Sequence, residues 1–391
     1  MLTSIALILL LGLGAAWLFS RAKLPGLLGM ILVGIALGPH CLDWIDSSVL
    51  TISGDIRQIA LVIILTRAGL SLDLSDLKKV GRPAVLMCFV PACIEMAGTL
   101  VFAPMLLGVS LLGAAVMGSV IAAVSPAVVV PRMIKLMEEG YGTKQSIPQM
   151  ILAGASVDDV FVIVVFTALT TLAATGEVAL SGFLQIPLSI FLGIALGILA
   201  GMAAAAFFRK FPMRDTIQVL ILLSVSFLTL ELQERLEGIV PVSGLLAIMS
   251  MGIGLRRREE TLARKLSAKY NQLWAGAEIF LFVLVGAAVD IRYALAAGVA
   301  AVLLVAIAMV CRMAGVGISL LGTDLTKKER LFCMAAYTPK ATVQAAIGTV
   351  PLAMGLECGS IVLTVAVISI LLTAPFGAIC IDRLHPRLLK R

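Results

Sequence analysis

Two adjacent carboxylates, Asp158 and Asp159, stand in the run Ala155-Ser156-Val157-Asp158-Asp159-Val160, near the middle of an apolar stretch from Ile147 to Ala173. On insertion scales an ionisable group at the centre of a membrane helix costs about 2.5–3.5 kcal/mol, so two together cost about 5–7 kcal/mol. Neither end of the stretch is close enough for the two acids to snorkel out. A helix carries such a cost where something uses the carboxylates. Adjacent helical residues point about 100° apart, so one acid can face a water-filled cavity while its neighbour faces another helix.

Other polar groups interrupt apolar stretches elsewhere. Glu95 and Arg312 are single charges in apolar surroundings, and opposite charges in such places usually pair; a structural salt bridge between them is expected. Arginine stays protonated, so Arg312 is not a proton donor. Lys340 lies deep in its stretch, in Tyr337-Thr338-Pro339-Lys340-Ala341-Thr342-Val343-Gln344. It is placed to pair with Asp158 or Glu95, or to supply positive charge when the cation is absent. Pro126 and Pro339 also lie inside apolar stretches, where proline removes a helical donor and clashes with an earlier carbonyl. Membrane helices tolerate such breaks where water or neighbouring helices satisfy the freed backbone. Ser125 and Thr338 add hydroxyls beside the two prolines and are candidates to line an ion path. Arg67 and Glu278 lie nearer the ends of their stretches and read as interfacial.

The elements that position these residues are membrane helices. Of the 391 residues, 60% are apolar and 14% charged, with a mean hydropathy of +1.09; soluble domains are nearer half apolar and a quarter charged. Thirteen apolar windows are long enough to span a bilayer: 2–20, 25–39, 54–72, 83–107, 109–131, 148–172, 182–208, 216–232, 240–255, 270–289, 293–320, 330–354 and 358–381. Of the 30 Lys and Arg, only Arg57, Arg235 and Arg292 fall in the connections that alternate onto one side. Basic residues favour the cytoplasmic side, which places the N-terminus outside and the C-terminus inside. The net charge of +7 then meets anionic lipid, and no nucleic-acid role is required. The first window lacks a basic leader and reads as an uncleaved helix. The basic stretch 256–269 is expected to form a helix on the cytoplasmic surface. Seven scattered cysteines without a C-x-x-C pair and only two histidines, His40 and His385, argue against a disulfide framework, a zinc site or a resident cofactor.

The two halves echo each other. Gly69-x-x-x-Asp73 closes the third window and Gly286-x-x-x-Asp290 the tenth. Glu95 in the fourth answers Arg312 in the eleventh. Ser125-Pro126 in the fifth answers Thr338-Pro339 in the twelfth, all in one order at a nearly constant offset. The matched windows run in opposite directions. Inverted repeats with interrupted helices and a midplane site are a mark of secondary transporters.

The Asp pair, the Leu24-Pro25-Gly26-Leu27-Leu28-Gly29-Met30 start of the second window and the Thr338-Pro339-Lys340-Ala341-Thr342-Val343-Gln344 run resemble the cation/proton antiporter superfamily. The last run is especially similar to its NHA branch. The resemblance covers nearly the whole chain and implies an all-α membrane protein with about 13 helices and two crossing broken helices. It implies a homodimer with a dimerisation domain in 1–80 and 211–291, a linker helix in 176–210, and a core ion-transport domain in 81–175 and 292–391. Asp159 would match the family's main ion-carrying aspartate and Asp158 its partner. Arg312 falls where electrogenic bacterial relatives carry a lysine paired with the first aspartate. That departure fits Glu95 pairing with Arg312 instead, and electroneutral exchange.

The function expected is exchange of Na⁺ or Li⁺ for H⁺ by an elevator-type movement, without enzymatic activity, in a bacterial inner membrane. Desolvation disfavours a charged carboxylate, so protons and a hard, oxygen-seeking cation compete for the same oxygens. Asp158, Asp159, freed backbone carbonyls and water are the expected ligands. A K⁺/H⁺ antiporter and a sodium-coupled organic-anion symporter of the same fold stay open. An intramembrane aspartyl protease would take its two acids from different helices so that they share a proton, unlike this adjacent pair.

Overall fold

The computed structural model describes residues 1–22, 24–71, 81–175, 180–236, 240 and 242–390. Asp73 of the first repeat match and Lys23, Lys78, Lys79 and Arg391 of the charge pattern lie outside the described residues. The described chain is helical throughout, without strands. In order the helices are α1 (Leu2–Arg21), α2 (Gly26–Leu37), α3 (Ser47–Thr51), α4 (Ser53–Ser71), α5 (Arg82–Met87), α6 (Val90–Leu107), α7 (Leu111–Ile121), α8 (Pro126–Glu138) and α9 (Ile147–Thr175). There follow α10 (Leu180–Lys210), α11 (Asp215–Leu236), α12 (Gly244–Arg258), α13 (Glu260–Ala287), α14 (Ile291–Ser319), α15 (Lys327–Ala336), α16 (Thr342–Ile347), α17 (Val350–Ala353) and α18 (Gly359–Leu388).

Every one of the thirteen apolar windows holds a helix or a broken run of helices. Eight spans among the described residues are long and apolar enough to cross a membrane. The rest are shorter, and three windows are interrupted: the fourth between α5 and α6, the fifth between α7 and α8, and the twelfth between α15, α16 and α17. Each interruption carries a proline at or just beyond it: Pro91, Pro126, and Pro339 with Pro351.

The expected surface helix over 256–269 is not a separate element. α12 runs to Arg258, and from Glu260 the chain is already in α13, which continues to Ala287. Ala263, Leu266 and Tyr270 recur at helical spacing and are fully buried, so the basic segment is the outer turns of a long amphipathic helix. Pairs at i,i+4, Arg264 with Glu260 at 2.6 Å and Arg256 with Glu260 at 3.7 Å, decorate its exposed side. Arg256 also donates to the Ser71 carbonyl at 2.9 Å, capping the end of α4.

Contact density gathers the chain into two compact units. The first is Met1–Gly54, Asp73–Leu169 and Ile279–Arg391; the second is Asp55–Leu72 and Thr170–Glu278. In the second, α10 packs along α12. Gly197 and Gly201, one turn apart on α10, meet backbone of α12 where a side-chain carbon would collide with the Ala247 and Met251 carbonyls. Small residues at such spacing let membrane helices approach closely, with packing rather than the hydrophobic effect holding them. Arg67 and Glu278 belong to this unit, both half-buried. In the first unit α14 lies along α6, and α18 runs through the middle against α7, α8 and α14–α17. α18 is the most thoroughly buried of the long apolar helices. Residues 1–54 join this unit because α1 and α2 pack against the last turns of α13, where Gly12 meets Ile279 and Val283 and Gly38 meets Ala287.

Candidate functional site

The first unit holds two broken helices that touch at their breaks. α7 ends at Ile121 and α8 begins at Pro126. Proline suits a first helical position because the N–H it lacks would have no intrahelical partner there. α15 ends at Ala336, Pro339 lies in the gap, and α16 begins at Thr342. The Ser125 N–H donates to the Pro339 carbonyl at 2.7 Å. Pro339 seats on Gly377 of α18, where a side-chain carbon would collide with the pyrrolidine ring.

Breaking a helix inside a membrane leaves peptide groups that must find partners. At the first break they find side chains. The Ile121 carbonyl accepts from Lys340 Nζ and, at 3.5 Å, from Gln344 Nε2. The Ala122 carbonyl accepts from Arg312 Nη1. The Ala123 carbonyl accepts from Gln344 Nε2 at 2.7 Å, and the Val124 N–H donates to Asp158 Oδ2 at 2.8 Å. The Ile121, Ala122 and Ala123 carbonyls, freed at this break and expected as ion ligands, thus each accept from a cationic or amide donor. At the second break Arg312 Nε donates to the Tyr337 carbonyl at 2.7 Å. The Lys340 N–H donates to Thr373 Oγ1 at 3.0 Å, and the Ala341 N–H donates to Gln344 Oε1 at 2.8 Å.

The charges form one chain. Lys340 Nζ lies 2.6 Å from Glu95 Oε1. Arg312 Nη1 lies 3.0 Å from Glu95 Oε2 and Arg312 Nη2 lies 2.8 Å from Asp158 Oδ2. Glu95, Asp158, Arg312 and Lys340 are all 0% exposed. Glu95 and Arg312 are therefore paired, but Arg312 does not choose Glu95 instead of the first aspartate: its guanidinium reaches both. Its planar, multi-donor head makes that possible where a point-like ammonium would not. The guanidinium also lies 5.0 Å from the Tyr337 ring centroid, and the Tyr337 hydroxyl donates to the Met87 carbonyl at 3.0 Å, at the α5–α6 interruption.

Asp159 differs from its neighbour. It is half-buried, and among the described residues no basic side chain lies within ion-pair distance of it. The buried side-chain oxygens without a hydrogen-bond partner among the described residues include Asp158 Oδ1, Asp159 Oδ1 and Ser125 Oγ. A buried polar atom left without a partner costs about 1–3 kcal/mol, and all three of these oxygens lie in the first unit. Thr338 lies in the gap after α15, and its Oγ1 donates to the Ala335 carbonyl at 2.8 Å.

Every residue singled out in the sequence for chemistry, Glu95, Ser125, Asp158, Asp159, Arg312, Thr338 and Lys340, falls in this one unit with the breaks at Pro126 and Pro339. Sequence reading missed Gln344 as a member and missed Tyr337 and Thr373 as supports. The available signal was burial of a polar amide: Gln344 is a polar side chain in an apolar run, and it is 0% exposed.

The profile of the family described as Sodium/hydrogen exchanger, transmembrane, matches residues 5–384. Sodium/hydrogen exchanger 9B2 of Mus musculus is 33% identical over 391 residues, covering 94% of this chain and 69% of its own length. Sodium/hydrogen exchanger 9B1 of Homo sapiens is 32% identical over 390 residues, covering 94% of this chain and 73% of its own. Among solved structures, the sodium proton antiporter MjNhaP1 from Methanocaldococcus jannaschii superposes with a TM-score of 0.85 at 20% identity, covering 100% of this chain and 99% of that one. That likeness shows a shared fold.

Proposed function

Because the chain belongs to the sodium/hydrogen exchanger family, we propose that it exchanges Na⁺, with Li⁺ as a second substrate, for H⁺ across the membrane in which its helices are embedded, with Asp159 as the carrying group. One observation carries this reading: the charges of the site balance except at Asp159. Glu95 and Asp158 are matched by Arg312 and Lys340 within ion-pair distance, which leaves Asp159 as a single unmatched carboxylate.

A site of that composition has room for one positive charge. One Na⁺ and one H⁺ neutralise it equally, so the two loaded forms carry the same net charge. One-for-one exchange between them then moves no charge, and the transport is electroneutral. Asp159 Oδ1, Asp158 Oδ1 and Ser125 Oγ supply hard oxygen donors of the kind monovalent cations take, completed by water. A buried carboxylate holds a proton or a cation but not both, and that competition is the coupling. The empty site keeps its negative charge, and a bare charge near the bilayer centre is costly. Crossing without a passenger is therefore suppressed, which makes the cycle an exchange rather than a leak.

Alternating exposure follows an elevator-type movement of a core, 81–175 and 292–391, against a dimerisation scaffold, 1–80 and 211–291, with 176–210 as the link. The protein works as a homodimer, N-terminus outside and C-terminus inside, with its basic connections facing anionic lipid. The family and the arrangement of the breaks support this reading. It is tested with purified protein in liposomes that contain a pH dye. External Na⁺ and Li⁺ are expected to drive proton release from the lumen, and choline is not. A response to K⁺ alone would reassign the cation, and silence to every cation would overturn the reading in favour of an organic substrate.

A further inference from the structure

Away from the broken helices' crossing, the first unit has a cavity of about 600 Å³ where four helix ends meet, within the range of small-molecule sites. α1 contributes Ser20 from its last turn, and Leu24 and Pro25 line the wall between α1 and α2. α8 contributes Arg132 and Lys135, and α18 contributes Asp382 and His385. None of these residues takes part in the ion-pair chain of Glu95, Arg312, Asp158 and Lys340.

The cavity lies at the depth of lipid headgroups. Ser20 stands one residue before Arg21, where the apolar span of α1 ends. The Arg21 guanidinium lies 4.3 Å from the Trp17 ring centroid, and Trp with Arg at a helix end sits at the boundary between hydrocarbon and water. Exposed Leu10, Leu13 and Trp17 recur along one face of α1 and lead to Ser20, because residues three and four apart share a helical face. An acyl chain therefore has an apolar stripe to follow up to the cavity.

The wall carries both signs of charge. The Arg132 guanidinium is held by the Val128 carbonyl, to which Nη1 donates at 3.0 Å, and its Nε lies 3.2 Å from Asp382 Oδ1. The Asp382 side chain is 47% exposed. A carboxylate has about four acceptor sites, so pairing with Arg132 leaves Asp382 able to take a second cation. His385 Nδ1 lies 2.9 Å from the Ile381 carbonyl. A carbonyl only accepts, which assigns the proton of the neutral ring to Nδ1 and leaves Nε2 as an acceptor. Lys135 is exposed, and its pair with Glu139 is long at 3.7 Å. Cationic donors on α8 thus stand beside acceptors on α18, a pattern complementary to a ligand that carries an anion and a cation on one short chain.

We infer that this cavity binds the phosphoethanolamine headgroup of a membrane lipid, the phosphate on Arg132 and Lys135 and the primary ammonium on Asp382 and His385. A primary ammonium brings three N–H donors for the two acceptors. A choline headgroup brings none, and a glycerol headgroup has no cation for Asp382. The depth of the cavity and the apolar stripe on α1 select the lipid over a free headgroup. The site stands apart from Asp159 in sequence and in partners, so the inference holds whichever cation is exchanged.

The test uses the purified full-length chain, stripped of lipid in detergent and read by native mass spectrometry with one synthetic lipid at a time. Phosphatidylethanolamine is expected to be retained about three- to fivefold more than phosphatidylcholine or phosphatidylglycerol with the same acyl chains, the size of one partly exposed ion pair. Asp382→Asn is expected to erase the preference over phosphatidylcholine. Lys135→Gln is expected to weaken retention of both lipids and keep their ratio. Arg264→Gln removes a basic charge that does not line the cavity, and its retention is expected to match wild type. Equal retention of the three lipids by wild type, or an unchanged preference in a folded Asp382→Asn protein, would overturn the inference. So would a loss in Arg264→Gln as large as that in Lys135→Gln, because retention would then follow overall charge. Displacement of the lipid by soluble glycerophosphoethanolamine at the same concentration would overturn the choice of a lipid as the occupant.

Discussion

The two broken helices occupy matching places in the two halves of the chain, yet they do different work. The first break, residues 122–125, is built from Ala122, Ala123, Val124 and Ser125. It offers bare peptide groups and one hydroxyl. The second, with Tyr337, Thr338, Pro339, Lys340 and the following Gln344, is rich in side-chain donors. Lys340 and Gln344 reach back to the carbonyls of Ile121 and Ala123, and Arg312 on α14 bonds both breaks, through Ala122 and Tyr337. One break serves as a receptor and the other as a clamp. The same division separates the two aspartates: Asp158 is paired with Arg312, and Asp159 has no ion-pair partner among the described residues.

Removing the clamp's strongest member is the harshest way to break this comparison. Arg312→Ala strips the partner from two fully buried carboxylates, and breaking a buried ion pair from one side costs about 3–5 kcal/mol. The folded, monodisperse fraction in detergent is expected to collapse; a normal melting profile would show that the clamp carries no weight. Lys340→Met is milder, because Glu95 keeps Arg312. A loss of about 1.5–3 kcal/mol is expected, as for a hydrogen bond to a charged group, read as a lower melting temperature without loss of the fold.

On the receptor side the expected pattern reverses. Ser125→Ala removes a hydroxyl that has no hydrogen-bond partner among the described residues. Stability should stay within about 0.5 kcal/mol of wild type. The apparent KM for Na⁺ should rise roughly three- to tenfold, equivalent to about 0.7–1.4 kcal/mol of lost coordination. Thr338→Val completes the contrast: its hydroxyl already serves Ala335, so the smallest KM change of the series is expected. Should Thr338→Val exceed Ser125→Ala in Na⁺ affinity loss, the assignment of receptor and clamp would have to be exchanged.

Much of this arrangement is legible in the amino-acid sequence, for a physical reason. Charges and prolines inside apolar windows are costly, so Glu95, Asp158, Asp159, Arg312, Lys340, Pro126 and Pro339 announce themselves wherever they fall. What the sequence hides is proximity between the two halves. Nothing in the spacing of Val124 or Gln344 tells that one peptide joins Gln344 to Asp158, because that contact exists only once the breaks cross. For the same reason the reach of Arg312 to both Glu95 and Asp158 is invisible to pairwise matching of charges. The segment 256–269 misleads in the opposite way: its run of basic residues looks like a surface element, while the buried stripe of Ala263, Leu266 and Tyr270 binds it into a long helix.

The central claim is that a balanced four-charge chain leaves Asp159 as the one carrier of either Na⁺ or H⁺. It is tested most directly by Na⁺-driven proton movement in proteoliposomes whose membrane potential is clamped, comparing wild type with Asp159→Asn. The account predicts a wild-type rate indifferent to the imposed potential and a folded Asp159→Asn protein whose exchange falls to the level of empty liposomes. Na⁺-dependent proton exchange that persists in Asp159→Asn, or a wild-type rate that follows the potential, would contradict it.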